Sequence, residues 1–382
     1  MKIMFSAGET SGDLHGANLA TEILKIDPTV ELIGFGGDQM QNAGVKIYKN
    51  FSDYNVMGVL EVLKNLRRIL KLLDDLEDLA RREKPNLLVL IDYPDFNWRL
   101  AKRIKKLGIP IFSYIPPSAW AWRRGRAKDC AEIADELVAI FPFELQVYKD
   151  AGANISFVGN PLVDSVKTSM LESEAKKFFH VENEHVVLLM PGSRKQEIEK
   201  LLPVMVESAE LISKKNPDTR FFLPVAGNIS TDRIKFYTDR SAVKIELITE
   251  NRYDLFSIAD AAIATSGTVV LEAALLNLPC VVVYKMAALN FFIAKLFVDI
   301  KYFSLPNIIL NEEIQPELLQ DQVNPERITE EVLKLFRGSQ NRDLVVRNLR
   351  EACKKLGTHG ASKRVAEKIY YAAESYSLKD HF

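Results

Sequence analysis

Short apolar runs recurring between helix-length polar stretches constrain this chain more than any other feature. The first series is Ile3 to Ala7, Leu32 to Phe35, Leu87 to Ile91, Ile111 to Tyr114, Leu137 to Phe141 and Ile155 to Val158. A second follows: Val186 to Met190, Phe221 to Val225, Lys244 to Ile248, Ala261 to Ala264 and Cys280 to Tyr284. Runs apolar at nearly every position are strands covered on both faces, and the helical crossovers of a parallel sheet provide that cover. The expected class is α/β, with two doubly wound domains whose sheets, if they face each other, make a cleft. The polar stretch Lys167 to Glu184 separates the series, giving expected domains of residues 1–165 and 166–344. The tail, about residues 345–382, reads as helices broken at Gly357 and Gly360 that pack back on the first domain.

Composition excludes several classes of function. The 382 residues, 47% hydrophobic and 26% charged, suit two globular domains and leave neither disorder nor a fibrous repeat to be expected. Fifty basic and 51 acidic residues give a net charge of -1, so no global field attracts nucleic acid and any anion site is local. Cys130, Cys280 and Cys353 lie far apart, without the spacing of a disulfide framework or a structural zinc, which points to a reducing compartment. His15, His180, His185, His359 and His381 form no ligand set; no metal and no cofactor are expected. Ser11 and Ser193 lack a G-x-S-x-G elbow, so serine hydrolysis is unsupported. Met1 to Glu9 do not read as a signal peptide. The longest apolar stretch, Met286 to Val298, is broken by Asn290 and Lys295 and too short to span a bilayer. The expected location is the cytoplasm.

Ligands of open α/β sheets sit beyond the carboxyl ends of the strands, so the strand-end loops are where chemistry is sought. Gly8-Glu9-Thr10-Ser11-Gly12-Asp13 is a glycine-rich turn entering a helix, where backbone N–H groups receive an anion. The plain alternative is that Ser11 or Asp13 caps that helix. Asp92 ends the strand before Tyr93-Pro94-Asp95-Phe96-Asn97, in the place of a general base whose partial desolvation raises its pKa; the alternative is a solvated loop acid. Asp95 is expected to order the Pro94 turn. Trp120, Trp122 and Arg123 crowd the loop Pro116 to Arg126, offering rings to a sugar or acyl chain and guanidinium donors to a phosphate. In the second series, Pro191-Gly192-Ser193-Arg194 has the strand, turn and helix order of a phosphate cradle, with Arg194 placed to neutralise a leaving diphosphate. Ser266, Gly267 and Thr268 repeat that order, and Glu272 lies one turn into the next helix, placed to grip ribose or merely to favour the helix dipole. Residues 56–73 form an apolar helix carrying Lys64, Arg67, Arg68 and Lys71. It is either a core helix with snorkelling cations or an interfacial helix that lays Met57, Val59, Leu60, Leu63, Leu66 and Leu70 into lipid and its bases on anionic headgroups.

Taken together and in order, these motifs resemble the lipid A disaccharide synthase family from the first strand to near the end. Val56-Met57-Gly58, Phe141-Pro142-Phe143-Glu144 and Ser304-Leu305-Pro306-Asn307 add to the match. Gly159-Asn160-Pro161 and Pro116-Pro117-Ser118 depart from the family's more usual residues without removing a proposed catalytic group. The resemblance implies a GT-B fold of two Rossmann-like domains, the first holding the acceptor and the second the nucleotide. It implies an inverting glycosyltransferase on the route to lipopolysaccharide in Gram-negative cells. That enzyme joins UDP-2,3-diacylglucosamine to 2,3-diacylglucosamine 1-phosphate and gives the β-1,6-linked disaccharide 1-phosphate and UDP. On this reading Asp92 is the base, with Glu9 as competitor or acceptor positioner. Ser193, Arg194, Ser266, Gly267, Thr268, Glu272, Asn307 and Gln320 serve the UDP side; Ser11, Asp13, Asn97, Trp120, Trp122 and Arg123 serve the acceptor. The implied surroundings are the inner face of the cytoplasmic membrane, and the helical tail leaves room for a homodimer. Another GT-B enzyme, such as a UDP-N-acetylglucosamine 2-epimerase, is the alternative on shared fold.

Overall fold

The computed structural model describes residues 1–54, 59–119, 125–227, 229–286 and 301–379; the side chains of 59–66 and 377–379 are outside that description. Two compact units divide the chain, one made of Met1–Pro161 with Gly357–Phe382 and the other of Leu162–Leu356.

In the first unit, β1 (Lys2–Ala7), β2 (Glu31–Gly36), β3 (Lys46–Asn50), β4 (Leu87–Ile91), β5 (Ile111–Tyr114), β6 (Glu136–Ala139) and β7 (Ile155–Phe157) form a parallel sheet. Their order is β3-β2-β1-β4-β5-β6-β7. The crossovers are α1 (Thr10–Ile26), α2 (Asp38–Asn42), α3 (Val59–Glu83), α4 (Pro94–Lys105), α5 (Gly125–Ile133) and α6 (Glu144–Asp150). Alternation along the strands assigns each side chain to a face even where every residue is apolar. Ile3, Phe5, Leu87 and Val89 join one buried cluster, and Met4, Leu88 and Leu90 join the other. The second cluster is closed by Leu72, Leu73, Leu76 and Leu79 of α3 with Leu100 and Ile104 of α4.

The second unit contains α7 (Leu162–Ser165), α8 (Glu172–Phe178), α9 (Lys195–Lys215), α10 (Thr231–Thr238), α11 (Arg252–Ile258), α12 (Thr268–Leu275), α13 (Leu305–Leu310), α14 (Pro325–Leu333) and α15 (Gln340–Lys354). Its sheet is also parallel. The strands are β8 (His185–Met190), β9 (Thr219–Pro224), β10 (Ile245–Ile248), β11 (Ala261–Thr265), β12 (Cys280–Tyr284) and β13 (Glu317–Leu319), in the order β10-β9-β8-β11-β12-β13.

The final helix, α16 (Ala361–Lys379), returns to the first unit after the break at Gly357 and Gly360. It lies along α1 and buries Val365, Ala366, Ile369 and Ala373 in the cluster of Ile3, Phe5, Leu19 and Ile23. Full burial of Val365 and Ile369 contributes about 1.5–3 kcal/mol each.

Two strands and several boundaries differ from the sequence reading: the helix read as residues 56–73 runs to Glu83, and of the tail read from about residue 345 only the part from Gly357 belongs to the first unit. β3 is an edge strand carrying Lys46 and Lys49, so it lacks a continuous apolar run, and β13 has only three residues. The strand expected to reach Phe141 ends at Ala139, because Phe141 donates its N–H to Glu144 in the turn into α6. The polar stretch expected to separate the domains contains α8, whose Ala175 is buried in the core of the second unit.

Candidate active site

In both sheets the strand order reverses once, between β1 and β4 in the first unit and between β8 and β11 in the second. Successive crossovers diverge there and open a crevice at the carboxyl edge. The four loops that follow those strands carry the motifs singled out in the sequence.

In the first unit the two loops are locked onto each other. Asp92 and Tyr93 both take left-handed backbone angles, φ +47° and +51°, which cost a non-glycine residue roughly 1–3 kcal/mol. That turn lays the Tyr93 ring over Gly8, where a Cβ would come within 2.1 Å of Tyr93 Cδ1, so only glycine fits. Buried Asn97 holds the turn: its Nδ2 donates to the Asp92 carbonyl at 2.7 Å and to those of Ser6 and Ile91, and its Oδ1 accepts from Ser6 Oγ at 2.6 Å. Asp92 itself is half-buried. Burial pushes its carboxyl above the usual range, and a hydrogen bond from the Tyr93 backbone N–H opposes that rise. Glu9 is exposed at the N-cap of α1, close enough for its charge to help raise the Tyr93 phenol, although burial is the larger cause.

Two residues read as acceptor ligands have other partners. Asp13 is 2% exposed, and α1 has no side-chain cap. Its Oδ1 accepts from the N–H of Gly37 (2.7 Å) and Met40 (3.2 Å) and its Oδ2 from that of Gln39 (3.0 Å), at the start of α2. Asn97 spends its amide on the backbone, as described. Ser11 is exposed in the first turn of α1, whose N-cap is Glu9. Asp95 is exposed too, and rather than ordering the Pro94 turn it pairs with Arg126 of α5. Met57, Trp120, Trp122 and Arg123 lie outside the described residues.

In the second unit the crevice is built from backbone and glycine. Gly192 takes φ +107°, and a Cβ there would lie 2.2 Å from Glu197 Oε2. Glu197, at the third position of α9, closes a capping box. Its Oε2 accepts from the N–H groups of Ser193 and Arg194, both at 3.2 Å, and its Oε1 meets Arg194 Nη1 at 3.0 Å. A carboxylate thus sits on the donors that the sequence assigned to a diphosphate. Arg194 projects into solvent with a side chain 82% exposed.

Across this crevice, Gly267 is the N-cap of α12, Thr268 is exposed, and Ser266 Oγ donates to the Phe303 carbonyl at 2.7 Å. Gly192, Arg194, Arg252, Ser266, Gly267 and Glu272 are among the residues lining a cavity of about 320 Å³. Glu272 is buried. Its Oε2 makes no hydrogen bond although it lies 3.2 Å from Arg252 Nη2, and burial raises its carboxyl despite that guanidinium. A buried carboxylate on the wall of a cavity is an acceptor for a ligand hydroxyl.

Asn307 and Gln320 stand apart from that cavity. Asn307 is fully buried; its Nδ2 donates to the Gln315 carbonyl (3.0 Å) and Glu317 Oε1 (2.9 Å), and its Oδ1 accepts from the N–H of Ile314 and Gln315. Gln320 is tied to the backbone of Met286, whose N–H it accepts at 2.9 Å.

Sequence reasoning passed over Tyr93 as the residue that joins the loops, Glu197, Arg252 and buried Glu144, whose carboxyl is pushed up to about 8 by burial. The three-residue spacing of a capping box was a legible signal for Glu197; nothing in the sequence points from Arg252 to Glu272. In α3, Leu72, Leu73, Leu76, Leu79 and Ala80 face the core, while Arg67, Arg68 and Leu70 are exposed. The side chains of Val59, Leu60, Leu63 and Leu66 are outside the described residues. Among the described residues no helix is long and apolar enough to cross a membrane.

Compared with protein families, residues 3–369 match the one described as lipid-A-disaccharide synthetase. The chain is 39% identical over 366 residues to the lipid-A-disaccharide synthase of Geobacter metallireducens, covering 96% of this chain and 95% of that protein. It is 39% identical over 373 residues to the one from Nitrosococcus oceani, covering 97% and 96%. Among solved structures it resembles the UDP-GlcNAc 2-epimerase of Neisseria meningitidis bound to UDP-GlcNAc, with a TM-score of 0.66 and 14% identity over 97% of this chain and 99% of that one. It also resembles MurG of Acinetobacter baumannii, with a TM-score of 0.59, 14% identity and coverage of 96% and 99%. At such identities the likeness is one of fold, an α/β protein with two parallel sheets and GT-B-like neighbours.

Proposed function

Because the chain belongs to the lipid-A-disaccharide synthase family and is thus a glycosyltransferase of lipid A biosynthesis, we propose that its two switch-point crevices divide one displacement between them. The first unit, with α16, holds the acceptor, 2,3-diacylglucosamine 1-phosphate; the second holds the donor, UDP-2,3-diacylglucosamine. Asp92 takes the proton from the acceptor 6-hydroxyl as that oxygen attacks the anomeric carbon, the glycosidic bond to the diphosphate breaks, and UDP leaves. One displacement inverts the centre and gives the β-1,6 linkage.

Each residue has a stated task in this reading. The raised carboxyl of Asp92 brings its basicity nearer to a working pH, as general-base catalysis requires. Glu9, across the same crevice, positions the acceptor. Arg194 and the turn Gly192–Ser193 meet the charge growing on the departing diphosphate, and Glu272 accepts from a ribose hydroxyl. Ser266, Gly267 and Thr268 form the opposite wall. The exposed Arg67, Arg68 and Leu70 suit a lipid surface, where cations meet anionic headgroups and the acylated substrates reside. A homodimer stays outside this reading, since the tail helix that suggested one spends its apolar face on α1.

The observation that carries the reading is the convergence of all four motif loops on the two switch points. Its test is disaccharide and UDP formation from the two acylated substrates in mixed micelles, wild type against Asp92→Asn. Turnover by wild type, lost in the variant with UDP binding kept, is the expected result. Epimerisation of a UDP-sugar by wild type, with no disaccharide, overturns it.

A further inference from the structure

A second cavity, of about 230 Å³, lies between α4 and α5 of the first unit, far larger than the ~15 Å³ one water needs. Its lining combines Trp98, Pro117, Cys130 and Ile133 with three cations, Arg99, Lys102 and Arg126. Arg99 and Lys102 stand three residues apart on α4, hence on one face of the helix, and Arg126 reaches the cavity from α5.

Arg126 is held by Asp95, which fixes one guanidinium on the wall. Among the described residues neither Arg99 nor Lys102 has an ion-pair partner. Against the carboxylates of Asp95 and Asp129, the three cations leave this lining with a charge of +1. Pro94, the first residue of α4, and Arg126, the second of α5, both line the cavity, so the partial positive charge of two helix N-termini adds to that of the cations. Three cations lining one cavity favour a compact dianion, which each of them can meet with a charge-assisted hydrogen bond. On the function proposed above, the nucleotide is held in the other unit and does not compete for this place.

We propose that this groove binds the phosphate monoester of an amphiphile. Pro94 and Asp95 on its wall follow Asp92 by two and three residues, so the groove opens off the same strand-end turn as the proposed base. On the function proposed above, on which this identification rests, the ligand is the 1-phosphate of the acceptor. Phosphatidic acid at a membrane surface presents the same chemistry.

The double variant Arg99→Gln with Lys102→Gln distinguishes the two sources. Losing two charge-assisted contacts is expected to raise the acceptor KM by about 30-fold or more while leaving the donor KM and UDP affinity unchanged. Glucosamine 1-phosphate, a soluble probe, should inhibit wild type competitively against the acceptor and fail to inhibit the variant. The charge-preserving variant Arg99→Lys with Lys102→Arg should recover most of the loss, which a folding defect would not show. If the acceptor KM holds but binding to phosphatidic acid vesicles is lost while binding to phosphatidylglycerol vesicles persists, the groove takes the monoester of a membrane lipid. If acceptor KM, inhibition and vesicle binding are all unchanged, the groove is a solvated surface and the proposal falls. A wild-type enzyme that forms no disaccharide defeats the functional reading instead, and the inhibitor and vesicle arms are then read as direct binding.

Discussion

The two units share a parallel sheet with one reversal of strand order, yet they build the crevice at that reversal in opposite ways. In the first, side chains and strained backbone do the work: two consecutive left-handed residues, a ring seated on a glycine and a buried amide that ties down the turn. In the second, glycine and backbone N–H groups form the loop, and its main cation stands in solvent. A base has to be held at one point with its pKa displaced, and only a stiff, partly dry setting does that. A diphosphate is bound by its charge over several oxygens, which exposed donors satisfy at low cost. On the function proposed above, what the loops bury tunes one crevice towards proton transfer and the other towards anion binding.

The sharpest break of this comparison is a variant that affects kcat on one side alone. Asp92→Asn should lower kcat by about 1000-fold, with UDP affinity within about twofold of wild type, measured by single-turnover kinetics and calorimetry. Activity should also rise with pH through the raised pKa of Asp92, and that acid limb should vanish in the variant; a UDP affinity that fell with kcat would merge the two crevices into one function. Gly192→Ala tests the other side. Its Cβ would meet Glu197 Oε2 at 2.2 Å at a φ of +107°, so UDP should bind about 100-fold more weakly by calorimetry. Unchanged UDP affinity would remove the loop from the nucleotide site.

Smaller effects sharpen the picture. Glu197→Gln keeps an acceptor oxygen for the loop N–H groups but removes a negative charge from the place of the diphosphate. UDP affinity should improve by about fivefold at low salt, and the gain should shrink as salt rises; weaker binding would show that the carboxylate is needed as a cap. The last effect is on stability rather than on turnover or binding. The carboxyl of Glu144 stands near 8 in the folded chain against 4.5 in an open one, so the folded state holds its proton longer. Stability is therefore lost as pH rises from about 4.5 through 8, and Glu144→Gln should flatten the thermal midpoint across that window. A variant with the wild-type slope would show that Glu144 is not the group that titrates.

Much of this molecule was legible in its sequence, for reasons that also explain the rest. Leu87 to Ile91 is apolar throughout and can only be a covered strand, whereas Lys46 to Asn50 carries lysines because its edge meets water. Glycines and polar residues at strand ends marked all four crevice loops. The roles of Asp13, Asn97, Asn307 and Gln320 were not legible. A polar letter near a strand end reads the same whether its hydrogen bonds reach a ligand or the chain's own backbone. Asp13 finds its partners 24 to 27 residues on, at Gly37, Gln39 and Met40, and no local spacing announces that. Glu197 and Arg252 were overlooked because their importance lies in what they face.

The first unit is discontinuous, its final helix separated from the rest by the whole of the second. On a ribosome, residues 1–161 emerge early, but the groove along α1 that Val365, Ile369 and Ala373 fill waits until everything between has been made. The second unit, an unbroken stretch of chain, is complete before its neighbour. Synthesis order and completion order are thus reversed, and a message cut short after residue 356 would yield a finished second unit and a first unit with its apolar flank open to chaperones and proteases.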